Sequence, residues 1–344
     1  MEPAVRNNLK TLSMNNVNYV QKFLMQREFA FNKISRLVNG RNSKVYLVNN
    51  YDEKFILKHY HYDPNDHRDR ARTEYEFLKY LEINKIGFVA KPISYDHDRH
   101  INIISFLPGE MPLTVSNDLI LNCSNFIKEI NIDRFNEKSK NLSDASESSD
   151  SIFSHINNIG KRINNLYNFS NENIEFDYLN SFVKSKMLKC YQALLEKVEK
   201  NFSEEYIKSR ISFKSKILSP SDFGFRNTLL HKNDLYFLDF EYAGWDDPAK
   251  LICDFGCQPD IQINENNLNF FIQSFSEWYD FTDELIKRSD LLMPFYRLKW
   301  CCIMLNEFTV SGRLRRDHSK STIDYKKQFR KCTRYFMENL DGLY

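Results

Sequence analysis

Three residues stand out for the chemistry they can do together. Asp222 and Asn227 are five apart and bracket Phe223, Gly224, Phe225 and Arg226; Asp239 follows twelve residues after Asn227, at the end of the apolar run Leu235-Tyr236-Phe237-Leu238. A carboxylate buried among Phe237, Leu238 and Phe240 is costly unless it is paired or binds a cation. Phosphoryl transfer from ATP needs such a set. One carboxylate orients or deprotonates the attacking hydroxyl, while a carboxylate and an amide oxygen hold magnesium on the phosphates. D-x-x-x-x-N alone is a common turn with caps. Here it is joined, across a turn at Lys232-Asn233-Asp234, to Asp239-Phe240-Glu241-Tyr242 and then to Asp246-Asp247-Pro248-Ala249.

These residues lie in one non-helical island, 216–254, inside a half of the chain that otherwise reads as helical. Expected helices cover about 115–136, 152–167, 176–200, 203–213, 264–281 and 284–310, with a last one from about 321. Between the first two, 137–150 is rich in Ser, Asp, Glu and Lys without an apolar period and reads as a mobile surface loop. Ahead of Leu107-Pro108-Gly109, which breaks the chain, the pattern is β-like. A short helix at 15–28 leads into strands at 29–37, 44–48 and 54–60, a charged helix at about 66–83 with Tyr75, Leu78 and Leu81 at helical spacing, and strands at 88–94 and 101–106. Five strands with one helix after the third make a compact α+β unit. No internal repeat is present.

Composition narrows the classes. Lys and Arg total 48 against 46 Asp and Glu, a net charge of 48 − 46 = +2, so bulk electrostatics make no case for nucleic acid. No run of about 18 apolar residues exists, so no membrane span is expected, and Met1 to Leu12 lacks the apolar core of a secretory signal. The seven cysteines are odd in number and contain no C-x-x-C pair, which favours free thiols in a reducing cytoplasm. Glycine numbers only 9 in 344 residues, so a phosphate loop needing several glycines is hard to place.

The island resembles the catalytic core of the aminoglycoside phosphotransferase/choline kinase-like family, which has a protein-kinase-like fold. The family pattern is H-x-D-x-x-x-x-N, a strand ending in D-(W/F)-E, then a Gly and D-P-A. The matching positions are Asp222, Asn227, Asp239-Phe240-Glu241, Gly244 and Asp247-Pro248-Ala249. The family's histidine, two before the base, is Pro220 here.

The resemblance implies a two-lobed α+β fold, with a small five-stranded antiparallel N-lobe (1–107) and a mainly helical C-lobe (108–344). It implies Asp222 as catalytic base and Asn227 and Asp239 as magnesium ligands. It also implies that Lys58, in the third strand, binds the α/β-phosphates and that Glu74, in the following helix, is its ion-pair partner; Glu76 is the other candidate. Ser105 to Leu107 would be the hinge that meets adenine through its backbone. Gly40 and Ser43 fall in a degenerate phosphate loop, Val38-Asn39-Gly40-Arg41-Asn42-Ser43-Lys44, where asparagines tolerate the left-handed backbone a tight turn needs.

The implied activity is that of a cytoplasmic small-molecule kinase using ATP and Mg²⁺ on a hydroxyl of a sugar, amino-sugar or aminoglycoside-like acceptor. Choline or ethanolamine is the alternative acceptor, and a pseudokinase scaffold the alternative class, motivated by Pro220 and the sparse glycines. Oligomeric state is not readable.

Other clusters have plainer readings. His59, His61, Asp63, Asp66 and His67 look metal-like by count but fit a solvated loop before a helix. Trp245, Trp278, Tyr279 and Phe281 can cage a quaternary ammonium or simply pack the core. Asp246 and Glu241 are acids near the site, and either face a cationic acceptor or are solvated. Asp247 reads as a helix N-cap with Pro248 in the first turn, and Asp254 as a buttress of the catalytic loop. Arg313, Arg315, Arg316, Lys326, Lys327, Arg330, Lys331 and Arg334 form a basic cluster that meets an anionic substrate or partner, or is a solvated helix face.

Overall fold

A computed structural model describes residues 14–37, 43–64, 66, 68–172, 176–320, 322 and 324–344. The amino-terminal lobe opens with α1 (Met14–Gln26), then β1 (Lys33–Leu37), β2 (Ser43–Asn49) and β3 (Lys54–Tyr60). Helix α2 (Arg70–Ile83), β4 (Pro92–Asp96) and β5 (Ile101–Ser105) complete it. All pairings in the five-stranded sheet are antiparallel, in the order β1-β2-β3-β5-β4.

Alternation along the strands decides what each face meets, because successive side chains point to opposite sides. Tyr46, Val48, Phe55, Leu57, Ile101 and Ile103 pack under Val20, Phe23 and Leu24 of α1. The opposite set, Val45, Leu47, Ile56 and Lys58, lines the cleft between the lobes. The register Val45↔Lys58 and Leu47↔Ile56 keeps them on one face. Helix α2 begins later than the sequence pattern suggests, because the Asp69 carboxylate caps the Arg72 N–H. Its apolar stripe, Phe77, Leu78 and Leu81, belongs to the same continuous core as the carboxy-terminal lobe.

The chain crosses into that lobe after Ser105. It continues through α3 (Asn117–Asn131), α4 (Ile152–Glu172), α5 (Asp177–Phe182), a π-helical turn Val183–Met187, α6 (Leu188–Asn201) and the short α7 (Glu204–Lys208). The island follows as β6 (Ile217–Ser219), the hairpin β7 (Thr228–His231) and β8 (Asp234–Phe237), and β9 (Gly244–Asp246), which pairs with β6. Helices α8 (Pro248–Cys257), α9 (Glu265–Gln273), α10 (Thr282–Met304), α11 (Val310–Ser319) and α12 (Tyr325–Asn339) close the lobe.

Backbone and side-chain contacts tie the lobes besides the connecting segment. At the hinge, Glu110 and Leu230 exchange backbone hydrogen bonds of 3.1 and 2.7 Å. Away from it, α11 reaches the sheet: His318 Nε2 donates to the His59 carbonyl at 3.2 Å and Arg36 donates to the Ser319 carbonyl.

The segment 137–150, expected as a mobile surface loop, is instead docked. Ala145 N–H donates to the Trp245 carbonyl at 2.9 Å and Ser146 N–H to the Tyr242 carbonyl at 2.9 Å. Gly244 (φ +157°) permits this approach, since a Cβ there would lie 2.3 Å from the Ser143 carbonyl oxygen. Sequence polarity misled because the docking is through the backbone, which leaves no apolar period. All seven cysteines are free and buried. Among the described residues, no helix is long and apolar enough to cross a membrane.

Candidate active site

The hairpin brings the two polar ends of the island together. Its register pairs Thr228 with Phe237, which folds Asn227 back toward the residues after β8, and Leu238 N–H donates to the Asn227 carbonyl at 2.9 Å. Lys58, Glu74, Ser43, Ser105, Leu107, Asp222, Asn227 and Asp239 all line one cleft of 1120 Å³. Gly40 and His67 lie outside the described residues.

At the cleft's centre, Lys58 Nζ lies 2.7 Å from Glu74 Oε1 and 2.9 Å from Asp239 Oδ1. Burial opposes the charge on the amine, but Asp239 and then Glu74 outweigh it, so the Lys58 pKa rises above its ordinary value and the group stays protonated. Glu74 is fixed by two further donors, the Tyr60 hydroxyl and the Phe240 N–H, the latter at 3.3 Å. The Phe240 ring stacks on Phe77 of α2 with centroids 5.3 Å apart, so the residue after Asp239 is clamped to the helix that carries Glu74. Glu76 is excluded as the partner: it faces outward and pairs with Arg72 at 2.7 Å.

Asp222 sits on the opposite lobe. Asn227 Nδ2 donates to the Asp222 carbonyl at 2.8 Å, and Gln258 Nε2 donates to the Phe223 carbonyl at 3.0 Å, closing the loop from both sides. Gly224 is required by that approach, since a Cβ there would lie 2.0 Å from Gln258 Oε1. Burial, reinforced by the negative charge of Asp239, raises the Asp222 carboxyl above the ordinary range. Ser221 and Asp239 both have φ of 67°. Non-glycine residues in this region cost of order 1–3 kcal/mol and are held by their surroundings. Here the holding contacts are Lys250 Nζ to Ser221 Oγ at 2.7 Å and Lys58 to Asp239.

Sequence reasoning passed over Lys250. It is fully buried, bonded to Asp246 at 2.7 Å and within 3.9 Å of Asp254, which Lys299 also pairs at 2.7 Å. Lys250 and Asp254 share one face of α8 at i, i+4, and Asp246 ends β9 four residues before Lys250, a charge spacing present in the sequence. Asp254 does buttress the loop, through Lys250 and Ser221 rather than directly. Asp246 is neither substrate-facing nor solvated, being buried in this ion pair. Asp247 caps α8 through the Ala249 N–H at 2.9 Å, and its second oxygen binds His155 and Arg288.

Several sequence candidates lie elsewhere. Trp245 is buried against Phe135 and Phe213. Trp278 and Tyr279 cluster with Phe275 and Arg134, and Phe281 packs on Tyr279. None of these aromatics lines the cleft. No group of three or more His, Cys, Asp or Glu among the described residues can hold a metal, and Asp66 is instead paired with Arg68 and Arg70 at 2.6 Å each. The basic cluster divides: Arg315 and Arg316 of α11 line the cleft, whereas Lys326, Lys327, Arg330 and Arg334 of α12 are exposed.

No protein-family model and no curated protein matches the sequence. Solved structures do. An ethanolamine kinase from Plasmodium vivax is 14% identical, with a TM-score of 0.58 over 96% of this chain and 91% of that one. A choline kinase from Streptococcus pneumoniae is 13% identical, with a TM-score of 0.57 over 94% and 99%. The aminoglycoside phosphotransferase APH(2'')-Ib with ADP bound is 14% identical, with a TM-score of 0.56 over 96% and 99%. The chain has the two-lobed α+β fold common to these proteins.

Proposed function

We propose that this chain is a phosphotransferase that moves the γ-phosphoryl group of ATP, with Mg²⁺, to a hydroxyl of a small molecule. The observation that carries the reading is the meeting of Lys58, Glu74 and Asp239 in one ion-paired group, in the same cleft as Asp222 and Asn227. ATP binds between 1–107 and 108–344, with adenine at the backbone of Ser105 to Leu107 and the phosphates toward Lys58 and Ser43.

The donor set fits magnesium. Asp239 is 37% exposed, with one oxygen engaged by Lys58. Asn227 spends its NH₂ on the Asp222 carbonyl, which leaves its amide oxygen without a partner among the described residues. Hard oxygen donors in this number suit Mg²⁺, which keeps waters and phosphate oxygens in its remaining positions. When bound, the metal neutralises charge on the phosphates. Lys58 adds a fixed positive charge there, and Glu74 holds Lys58 in place. Asp222 takes the proton of the acceptor hydroxyl as its oxygen bonds to the γ-phosphorus; the bond from that phosphorus to the β–γ bridging oxygen breaks, and ADP leaves.

The choline or ethanolamine reading draws less support, because its aromatic candidates, Trp245, Trp278, Tyr279 and Phe281, and one of its two acids, Asp246, lie away from the cleft, and only Glu241 lines it. Acceptor-dependent ADP release from ATP, requiring Mg²⁺, tests the proposal on a panel of sugars, amino-sugars, sugar phosphates, choline and ethanolamine. ATP binding that needs no Mg²⁺, with no turnover on any acceptor, would instead identify a nucleotide-binding scaffold, as Pro220 in place of the family histidine would allow. The ion pair gives a separate check. Glu74→Gln should weaken ADP·Mg binding about tenfold by calorimetry, about 1.4 kcal/mol, while Glu76→Gln, altering only an exposed pair, should leave it unchanged.

A further inference from the structure

Among the described residues, no carboxylate forms an ion pair with Arg315. Arg315 projects from α11 into the cleft, half-buried, and its Nε donates to the Ser311 carbonyl of its own helix at 3.3 Å. Four of the other cleft arginines have an acid: Arg68 has Asp66, Arg162 has Glu147, Arg226 has Asp260 and Arg316 has Glu307, while Arg36 is tied to the Ser319 carbonyl. Around Arg315 stand the Tyr242 phenol, the His61 imidazole and three more arginines, Arg70, Arg68 and Arg316. Arg68 and Arg70 also flank the Tyr242 ring, at 5.9 and 5.7 Å from its centroid. Arg68 and Arg70 share Asp66 and Arg316 has Glu307, which leaves the Arg315 charge to be balanced, and a guanidinium fork so placed can accept a bidentate anion. On the lining of the same cleft, Trp300 is 8% exposed and its Nε1–H has no hydrogen-bond partner among the described residues.

We infer that Arg315, with Arg68 and Tyr242, forms a docking site for an anionic group of the acceptor, so that the molecule phosphorylated is a hydroxyl compound already carrying a phosphate or carboxylate. This rests on the phosphotransferase reading above and assigns its substrate class. The triphosphate has its own cation in Lys58 and its own metal donors, which leaves α11 to serve the other substrate. Cationic acceptors are correspondingly disfavoured, since they would enter a wall of arginines.

The test uses the full chain and inorganic phosphate as probe, followed by calorimetry with the non-hydrolysable ATP analogue AMP-PNP and Mg²⁺ bound, so that the γ-phosphate position is filled. Phosphate should still bind, and Arg315→Ala should weaken it by about tenfold or more, with AMP-PNP affinity unchanged. Arg315→Gln keeps the side-chain length and should behave alike if the alanine variant folds poorly. In turnover, a hexose phosphate or sugar acid should outperform the matching neutral sugar and amino-sugar, and Arg315→Ala should remove that preference. Phosphate binding that is absent, indifferent to Arg315, or displaced by AMP-PNP would overturn the inference. Turnover confined to neutral or cationic acceptors would overturn it and leave the phosphotransferase reading intact. Arg315-dependent phosphate binding without turnover on any acceptor would uphold the anion site and sink the phosphotransferase reading.

Discussion

Asp222→Asn should lower phosphoryl transfer by about 10²–10⁴-fold, the usual range for removing a general base, with ADP·Mg affinity unchanged. Asparagine keeps the size of the side chain, and the loop's fastenings run through neighbours: Asn227 holds the Asp222 carbonyl and Gln258 the Phe223 carbonyl. The fold of the loop should therefore survive, and the loss should appear in kcat rather than in nucleotide binding. The pH profile carries the same assignment. Burial and the charge of Asp239 raise the Asp222 carboxyl above its ordinary value of 3.8. The base works only when ionised, so the rate should fall as pH drops through this raised value, placing the acid limb above that of a free aspartate. Unchanged kcat in Asp222→Asn would remove Asp222 from the chemistry.

Asp247→Ala should destabilise the protein by about 3–5 kcal/mol, the cost of breaking a buried ion pair from one side. The carboxylate is 1% exposed and holds Arg288, His155 and the first turn of α8 at once. Its removal leaves the Arg288 guanidinium buried beside no acid, with Nε already lacking a partner among the described residues. The linkage to pH has a definite sign. Burial works against the Asp247 charge, but the His155 hydrogen bond and the Arg288 charge outweigh it and hold the folded-state pKa at about 2, below the ordinary 3.8. A depressed carboxyl stabilises the fold above its unfolded pKa and loses that contribution as pH falls toward the folded one. Asp247 should thus contribute about 2 kcal/mol at neutral pH that disappears between about pH 4 and 2. Urea midpoints across this window should fall more steeply for the native chain than for Asp247→Asn. Parallel curves would show that the pair adds nothing to acid stability.

Much of this site could be read in the sequence because its parts are local. Asp222, Asn227 and Asp239 sit on either side of one hairpin, so their spacing encodes their proximity. Strand β3 runs from Lys54 to Tyr60 as the pattern indicates, and alternation alone puts Lys58 opposite the buried Leu57. The choice between Glu74 and Glu76 was open because a helix register is uncertain by a residue or two; the tertiary contacts with Tyr60 and Phe240 decide it. What stayed hidden depends on distant packing. The aromatics Trp245, Trp278 and Tyr279 carry no mark of whether they face a ligand or a core, and contacts with Phe135, Phe213 and Phe275 put them in the core. The basic C-terminal cluster read as one feature. A 3₁₀ turn at Asn306–Phe308 and the Thr309 cap start a new helix, α11, which turns Arg315 and Arg316 into the cleft while α12 keeps Lys326 and Lys327 in water.

The fate of the γ-phosphoryl group is the most direct test of the central claim. The full chain is incubated with Mg²⁺ and γ-labelled ATP, together with sugar phosphates, sugar acids, neutral sugars, amino-sugars, choline and ethanolamine, and the products are separated by mass spectrometry. The expected result is label covalently attached to a hydroxyl of one acceptor class, with stoichiometric ADP, and loss of both in Asp222→Asn. Label recovered only as free phosphate, label left in ATP, or transfer undiminished in Asp222→Asn would contradict it.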